Sequence, residues 1–209
     1  DGSYADDGIY VLLKEVLDNS IDEYMMVFGK TIEVTISDGT VTVRDYGRGV
    51  PLGKVVDVSS KMNTGAKYDS KAFKKSVGLN GVGIKAVNAL SSYFLITSCR
   101  DGECKRVEYN KAVIIDESDI QPTQEANGTK VVFVPDNTIF KDYQYKDEFV
   151  ETLLKNYVFL NSGLTILYNG KRYHSRNGLV DLLNENMTTE PLYPIIHLKG
   201  EDIEVVITH

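Results

Sequence analysis

The sequence has no tryptophan and little histidine, cysteine or proline: three, two and five residues among 209. His174, His197 and His209 all fall in the last fifth, and nothing local pairs any of them with a nucleophile as a triad would. A histidine-driven nucleophilic triad therefore finds no local support. Cys99 and Cys104 flank Arg100-Asp101-Gly102 in an expected hairpin. With no second pair to complete a zinc set, they read as two separate strand thiols in a reducing, cytoplasmic compartment. Positive charge is also short, with 23 Lys and Arg against 30 Asp and Glu, a net charge of −7. Affinity for nucleic acid comes largely from cations that displace counterions. This stretch alone is thus not expected to hold DNA tightly. No apolar run approaches the roughly 18 residues of a membrane span, and no secretory leader opens the chain. No membrane partner is expected. The chain starts abruptly at Asp1-Gly2-Ser3 and stops inside a strand-like run, which reads as a fragment.

What is present is patterned. Ile9, Leu12, Leu13, Val16, Leu17, Ile21, Tyr24 and Met25 recur at helical spacing, so a helix is predicted over 9–28, with Asp6 and Asp7 at its start and Gly29 stopping it. A hairpin follows, 31–36 and 40–45, turning at Ser37-Asp38-Gly39. A short helix near 54–62 leads into a Lys-, Gly- and Ser-rich stretch at 63–76, long and polar enough for a lid. Gly78–Gly83 opens a helix over 84–92. Strands are expected near 93–99, 103–109, 111–115, 129–134, 163–169 and 203–208, with helices near 145–160 and 178–185. Strands in runs, rather than alternating with helices, favour an α+β fold.

Three constellations carry chemistry. Glu15, Asp18, Asn19, Asp22 and Glu23 share much of one face of the first helix. Such a run ordinarily marks a solvated face, but it also sets Glu15 and Asn19 one turn apart, with an amide oxygen suited to Mg²⁺. Taken alone, the helix favours the solvated reading. Asp45 ends the apolar strand face of Val41 and Val43, just before Gly47 and Gly49. It either caps the turn or is a partly buried carboxylate in a cleft. The second reading requires a donor, such as an adenine amino group or a water in its place. These two readings are evenly balanced. Gly78-Leu79-Asn80-Gly81-Val82-Gly83 enters a helix, where backbone amides and the helix N-terminus suit an anion. It lacks the Gly-Lys-Ser/Thr ending of a Walker loop, and no strand precedes it as in a dinucleotide fingerprint. Asn127-Gly128-Thr129 opens a strand that would bring a hydroxyl beside Asp45.

In their order, these stretches resemble the four motifs of the GHKL (Bergerat-fold) ATPases. Glu15–Glu23, Asp45–Pro51, Thr64–Tyr68, and Gly78–Gly83 followed by Val87-Asn88-Ala89-Leu90-Ser91 most resemble the ATPase domain of type IIA topoisomerase B subunits, either gyrase or topoisomerase IV. The resemblance runs from about residue 6 to the end. It implies a two-layer α/β sandwich, a mixed and mostly antiparallel sheet with helices on one face, and residues 1–209 as a single truncated ATP-binding domain. It implies ATP and Mg²⁺ as cofactors. Glu15 would be the general base and Asn19 the Mg²⁺ ligand. Asp45 would accept from the adenine amino group, with Thr129 supporting it through a shared water. Gly78, Leu79, Asn80, Gly81, Val82, Gly83 and Ile84 would wrap the phosphates, with Lys67 near them in the lid. Gly49, Val50 and Pro51 would line the base pocket, and Arg48 and Arg100 would stand at its mouth. Ala66, Val77 and Asn80 depart from the usual residues there, and the loop after Pro51 is short. The resemblance further implies a B-subunit homodimer, an A-subunit partner, and DNA contact through the holoenzyme only. This piece would bind ATP, or inhibitors competing with it, with weak turnover. The superfamily's other branches, the histidine kinases, heat-shock chaperones and MutL-type repair proteins, are the alternative.

Overall fold

A computed structural model describes residues 3–60 and 82–208, with side chains from Asp7 in the first stretch and from Gly83 in the second. Helix α1 (Ser3–Met25) lays Ile9, Leu12, Leu13, Val16, Leu17 and Ile21 into the core, each at most 6% exposed. Burying one such side chain contributes about 1.5–3 kcal/mol. The helix begins earlier than its apolar period suggests, so Asp6 and Asp7 lie inside it rather than capping it. It also ends before Gly29. The Val27 N–H donates to the Tyr24 carbonyl and the Phe28 N–H to that of Glu23, a Schellman stop with Val27 itself left-handed at φ 63°.

Strands β1 (Thr31–Ser37) and β2 (Thr40–Asp45) form the expected hairpin. A 3-10 turn (Leu52–Lys54) leads into the short helix α2 (Val55–Ser59), and α3 (Val82–Ala89) opens the second stretch. Then come β3 (Ser91–Arg100), β4 (Glu103–Asn110), β5 (Val113–Glu117), β6 (Gln121–Pro122) and β7 (Gly128–Pro135). After α4 (Asp147–Leu160), strands β8 (Thr165–Tyr168) and β9 (Lys171–His174) close the main sheet. Its order is β5-β4-β3-β7-β2-β1-β8-β9, with β6 on β4, and every described pairing is antiparallel except β1 with β8. Helix α5 (Leu179–Asn186) packs on β11 (Glu204–Ile207), which pairs with β10 (Ile196–Lys199) as a separate two-stranded sheet. The expected α+β sandwich is present. Strands β6, β9 and β10 are additions to the expected set.

Period-two alternation builds the inner face of the sheet. Ile32 and Val34 of β1, Val41 and Val43 of β2, Phe94 and Ile96 of β3, and Val131 and Phe133 of β7 are all buried. Helix α1 crosses β2 and β7 and touches α3, so the chain's first helix roofs the sheet's central strands. The β3–β4 hairpin turns on Asp101 and Gly102, both at positive φ, as a two-residue loop requires. That register sets Cys99 opposite Cys104 with Cα atoms 4.2 Å apart, and the two form a disulfide. The expectation of two separate thiols is thus corrected. The short hairpin itself brings the sulfurs face to face.

Candidate functional site

A cleft of about 410 Å³ opens between α1, the 47–51 loop and the inner face of β2, β3 and β7. That is a volume suited to a small ligand. Val16, Val43, Val58, Ile84, Ile96 and Val131 give it apolar walls. Asp45 lies on this surface, 6% exposed. Its Oδ1 accepts the Gly47 N–H at 3.0 Å and the Thr129 N–H at 3.1 Å, while Oδ2 accepts the Ser20 hydroxyl at 3.1 Å. Burial raises its pKa above the ordinary carboxylate value, and the two amides and Ser20 oppose that rise. The carboxylate does both: it caps the turn through the Gly47 N–H and is a buried acid on the cleft. Its donors are mostly backbone. Thr129 reaches it through its backbone N–H.

Three ties hold the glycine loop after β2 in place. Ser98, fully buried, donates its hydroxyl to the Val50 carbonyl at 2.6 Å, and Arg100 Nη1 donates to the Gly49 carbonyl at 3.1 Å. On the other side, Glu23 accepts the Arg48 N–H at 2.9 Å and the guanidinium at 3.2 and 3.0 Å, while Arg48 also stacks 4.7 Å from the Phe28 ring centre. Burial alone would raise the Glu23 pKa, but these bonds to Arg48 hold its carboxyl below the usual range. Gly49 sits at φ 80° with its Cα so near the Cys99 carbonyl that a Cβ would come within 2.5 Å of it. Any side chain there would push the loop off β3. Gly49, Val50, Pro51, Arg48 and Arg100 all line the cleft. We expect Ser98→Ala to lower stability by about 1 kcal/mol, read by urea unfolding, because the Val50 carbonyl loses its donor.

Glu15 and Asn19 stand one turn apart on α1. Asn19 lines the cleft, and its Nδ2 donates to the Glu15 carbonyl at 3.1 Å, so that Oδ1 has no partner among the described residues. Glu15 does not line the cleft; it is 7% exposed beneath α3, where a Cβ on Gly83 would land on its Oε2. Burial foremost, then the negative charge of Asp18, raises the Glu15 pKa, and Lys14 lowers it. The rest of the acidic face is divided among other tasks. Asp18 accepts from Lys14 at 2.7 Å and from the Tyr157 hydroxyl at 2.6 Å. No cluster of three or more His, Cys, Asp or Glu able to hold a metal occurs among the described residues. The donor set nonetheless fits Mg²⁺, which keeps several waters and takes one or two protein oxygens plus phosphates. Ile84 lines the cleft, and Val82 and Gly83 begin α3. Lys67, Gly78, Leu79, Asn80 and Gly81 lie outside the described residues, as do Ala66 and Val77.

Sequence reasoning missed Ser20, Ser98 and the pairing role of Glu23. Ser20 follows Asn19 directly, but a lone helical serine gives no sign of reaching a strand. Ser98 is legible only once β3 is known to lie beneath the glycine loop.

Comparison with known proteins places this geometry. The family model described as histidine kinase-, DNA gyrase B-, and HSP90-like ATPase matches residues 5–139. The B subunit of DNA topoisomerase 4 from Borreliella burgdorferi is 44% identical over 210 residues, covering 100% of this chain and 35% of that protein. The B subunit of DNA gyrase from Borrelia hermsii is 38% identical over 180 residues, covering 82% and 28%. The 43K ATPase domain of Thermus thermophilus gyrase B, solved with an aminocoumarin, shares the fold at a TM-score of 0.74 and 24% identity, over 97% of this chain and 57% of that one. The chain spans about a third of the length of the curated relatives it matches. Among the described residues, no helix is long and apolar enough to cross a membrane.

Proposed function

We propose an ATP-driven role in DNA strand passage for this chain, which belongs to the family of histidine kinase-, DNA gyrase B- and HSP90-like ATPases. In this reading residues 1–209 are the ATP-binding and hydrolysing domain of a type IIA topoisomerase B subunit, either gyrase or topoisomerase IV. ATP closes a homodimer of B subunits, and hydrolysis resets it. An A subunit supplies the DNA chemistry, and DNA is met through the holoenzyme. A cytoplasmic setting belongs to the same reading. There the Cys99–Cys104 bond would face a reducing glutathione pool.

The observation that carries the reading is Asp45 in the cleft, with Oδ1 occupied by two backbone amides and Oδ2 able to accept one more hydrogen bond. A purine amino group supplies that bond, against apolar walls that suit a flat base. Asn19 Oδ1 would hold Mg²⁺ against the phosphates, which supplies charge neutralisation when bound. Gly78–Ile84 would wrap the phosphates, with Lys67 beside them and Arg48 and Arg100 at the mouth. Glu15 would orient the attacking water and take its proton, and its burial raises its basicity toward that task. Phosphoryl transfer to water asks mainly for such positioning.

Calorimetry of the full-length subunit with a non-hydrolysable ATP analogue and Mg²⁺ tests this. Heat of binding at a millimolar dissociation constant or tighter, about −4 kcal/mol or better, is expected. No heat in that range would leave the glycine loops as mere turns.

A further inference from the structure

Arg44 immediately precedes the cleft acid, and strand alternation sends its side chain to the face of the sheet away from the cleft. It is only 9% exposed there. Glu33 of β1 and Lys130 of β7 flank it across the sheet. A buried guanidinium usually answers a carboxylate, yet among the described residues Arg44 forms no such ion pair. Its Nη2 donates to the Ala126 carbonyl at 2.6 Å, and its Nη1 donates to the carbonyls of Asp45 and, at 3.5 Å, Asn127. The guanidinium also lies 4.4 Å from the centre of the Tyr46 ring, whose hydroxyl donates to Glu33 Oε1 at 2.8 Å. Tyr46, anchored by Glu33, thus covers the guanidinium on the outer face.

Two of these carbonyls belong to the loop entering β7, and the third belongs to Asp45 itself. The next residue, Gly128, sits at φ 144°, and a Cβ there would fall on Arg44 Nη1 and on the Asp45 carbonyl. Glycine is required because the fork passes so close. The N–H that follows is that of Thr129, one of the two backbone donors on Asp45 Oδ1. From outside the cleft, one guanidinium therefore sets the peptide whose N–H orients the acid inside it.

We propose that Arg44 is a positioning residue for purine selectivity, clamping the 126–128 loop onto β2 so that Asp45 is held to accept a 6-amino group and to refuse a 6-oxo group. The inference rests on the adenine reading of the cleft. An ionised carboxylate attracts an amino donor and repels a carbonyl oxygen, provided the carboxylate cannot turn away. With the loop unclamped, Oδ1 keeps only the Gly47 amide and the carboxylate gains freedom, so discrimination falls. A planar fork reaching three carbonyls is not replaced by the point charge of lysine.

The test is steady-state turnover of ATP and of inosine triphosphate by the full-length protein assembled with its partner subunit, folding being checked by thermal melting. Arg44→Ala is expected to raise KM for ATP about tenfold, leaving kcat within about twofold and KM for inosine triphosphate within about twofold. Arg44→Lys should not restore the ATP preference. Equal rises for both nucleotides, or a preference left intact, would overturn the inference and leave Arg44 a purely structural residue. Should Arg44→Ala fail to fold, Arg44→Gln keeps one donor and the strand packing. It is then expected to raise KM about threefold for ATP alone, and the same two results would overturn the inference. A wild-type protein indifferent to the two nucleotides would instead sink the adenine reading itself, and this inference with it.

Discussion

Asp45→Asn should weaken ATP binding by about 1–3 kcal/mol, roughly 5- to 150-fold, while the empty protein loses no stability at neutral pH. The asymmetry follows from the hydrogen bonds. Asparagine Oδ1 can keep both backbone donors, Gly47 and Thr129, and its Nδ2 can turn one hydrogen toward the Ser20 oxygen. Its second amide hydrogen then faces the cleft, where a purine amino group brings another donor. Donor meets donor, and the buried group is left mispaired. In the empty protein the exchange removes a buried charge instead. Burial raises the Asp45 pKa in the folded state. Its proton is therefore held more tightly folded than unfolded, and the associated stability is fully present below the ordinary carboxylate pKa and lost as pH rises through the folded value. Asp45→Asn should flatten that acid-side slope. Melting curves across pH, paired with calorimetry of the ATP analogue, read both halves. Undiminished affinity would remove Asp45 from base recognition.

The second large effect concerns Glu15. Replacing it with alanine in the full-length protein should cut ATP turnover by about 10²–10⁴-fold and leave analogue binding within a few-fold. Binding survives because Glu15 does not line the cleft. Turnover fails because the buried carboxylate beside Asn19 and the start of α3 is gone. The Glu15 Oε2 lies close against Gly83 at the start of α3. A Glu15→Ala enzyme that retains turnover within threefold would assign the base elsewhere.

The elements that position the site are legible in the sequence where local periodicity and local burial agree. The α1 stripe, the β1–β2 hairpin and the placing of Asp45 at the end of an inward face all rest on such agreement. Helix ends are less legible. Val27 takes the left-handed position that composition assigns to Gly29, because the capping bonds form two residues earlier. The cysteines resist pairing from spacing for want of register, since a two-residue turn over Asp101 and Gly102 makes them neighbours and a three-residue one would not. Ser20, Ser98 and Arg44 stay hidden for one shared reason. Each acts across elements far apart in the chain, and no spacing rule records what a strand will find on its far side. The short strands β9 and β10 carry four residues each, too few for alternation to stand out.

The parallel pairing of β1 with β8 sets an order on biogenesis. Residues 31–34 meet their parallel partners only at 165–168, whereas the residues lining the cleft are complete by Val131. As the polypeptide leaves the ribosome, the nucleotide-holding half can condense while the sheet still has an open flank at β1. Until β8 arrives, that flank offers unpaired amides and carbonyls to any neighbouring nascent chain. Long-range strand closure of this kind is slow, and it cannot begin before residues 165–168 have been made.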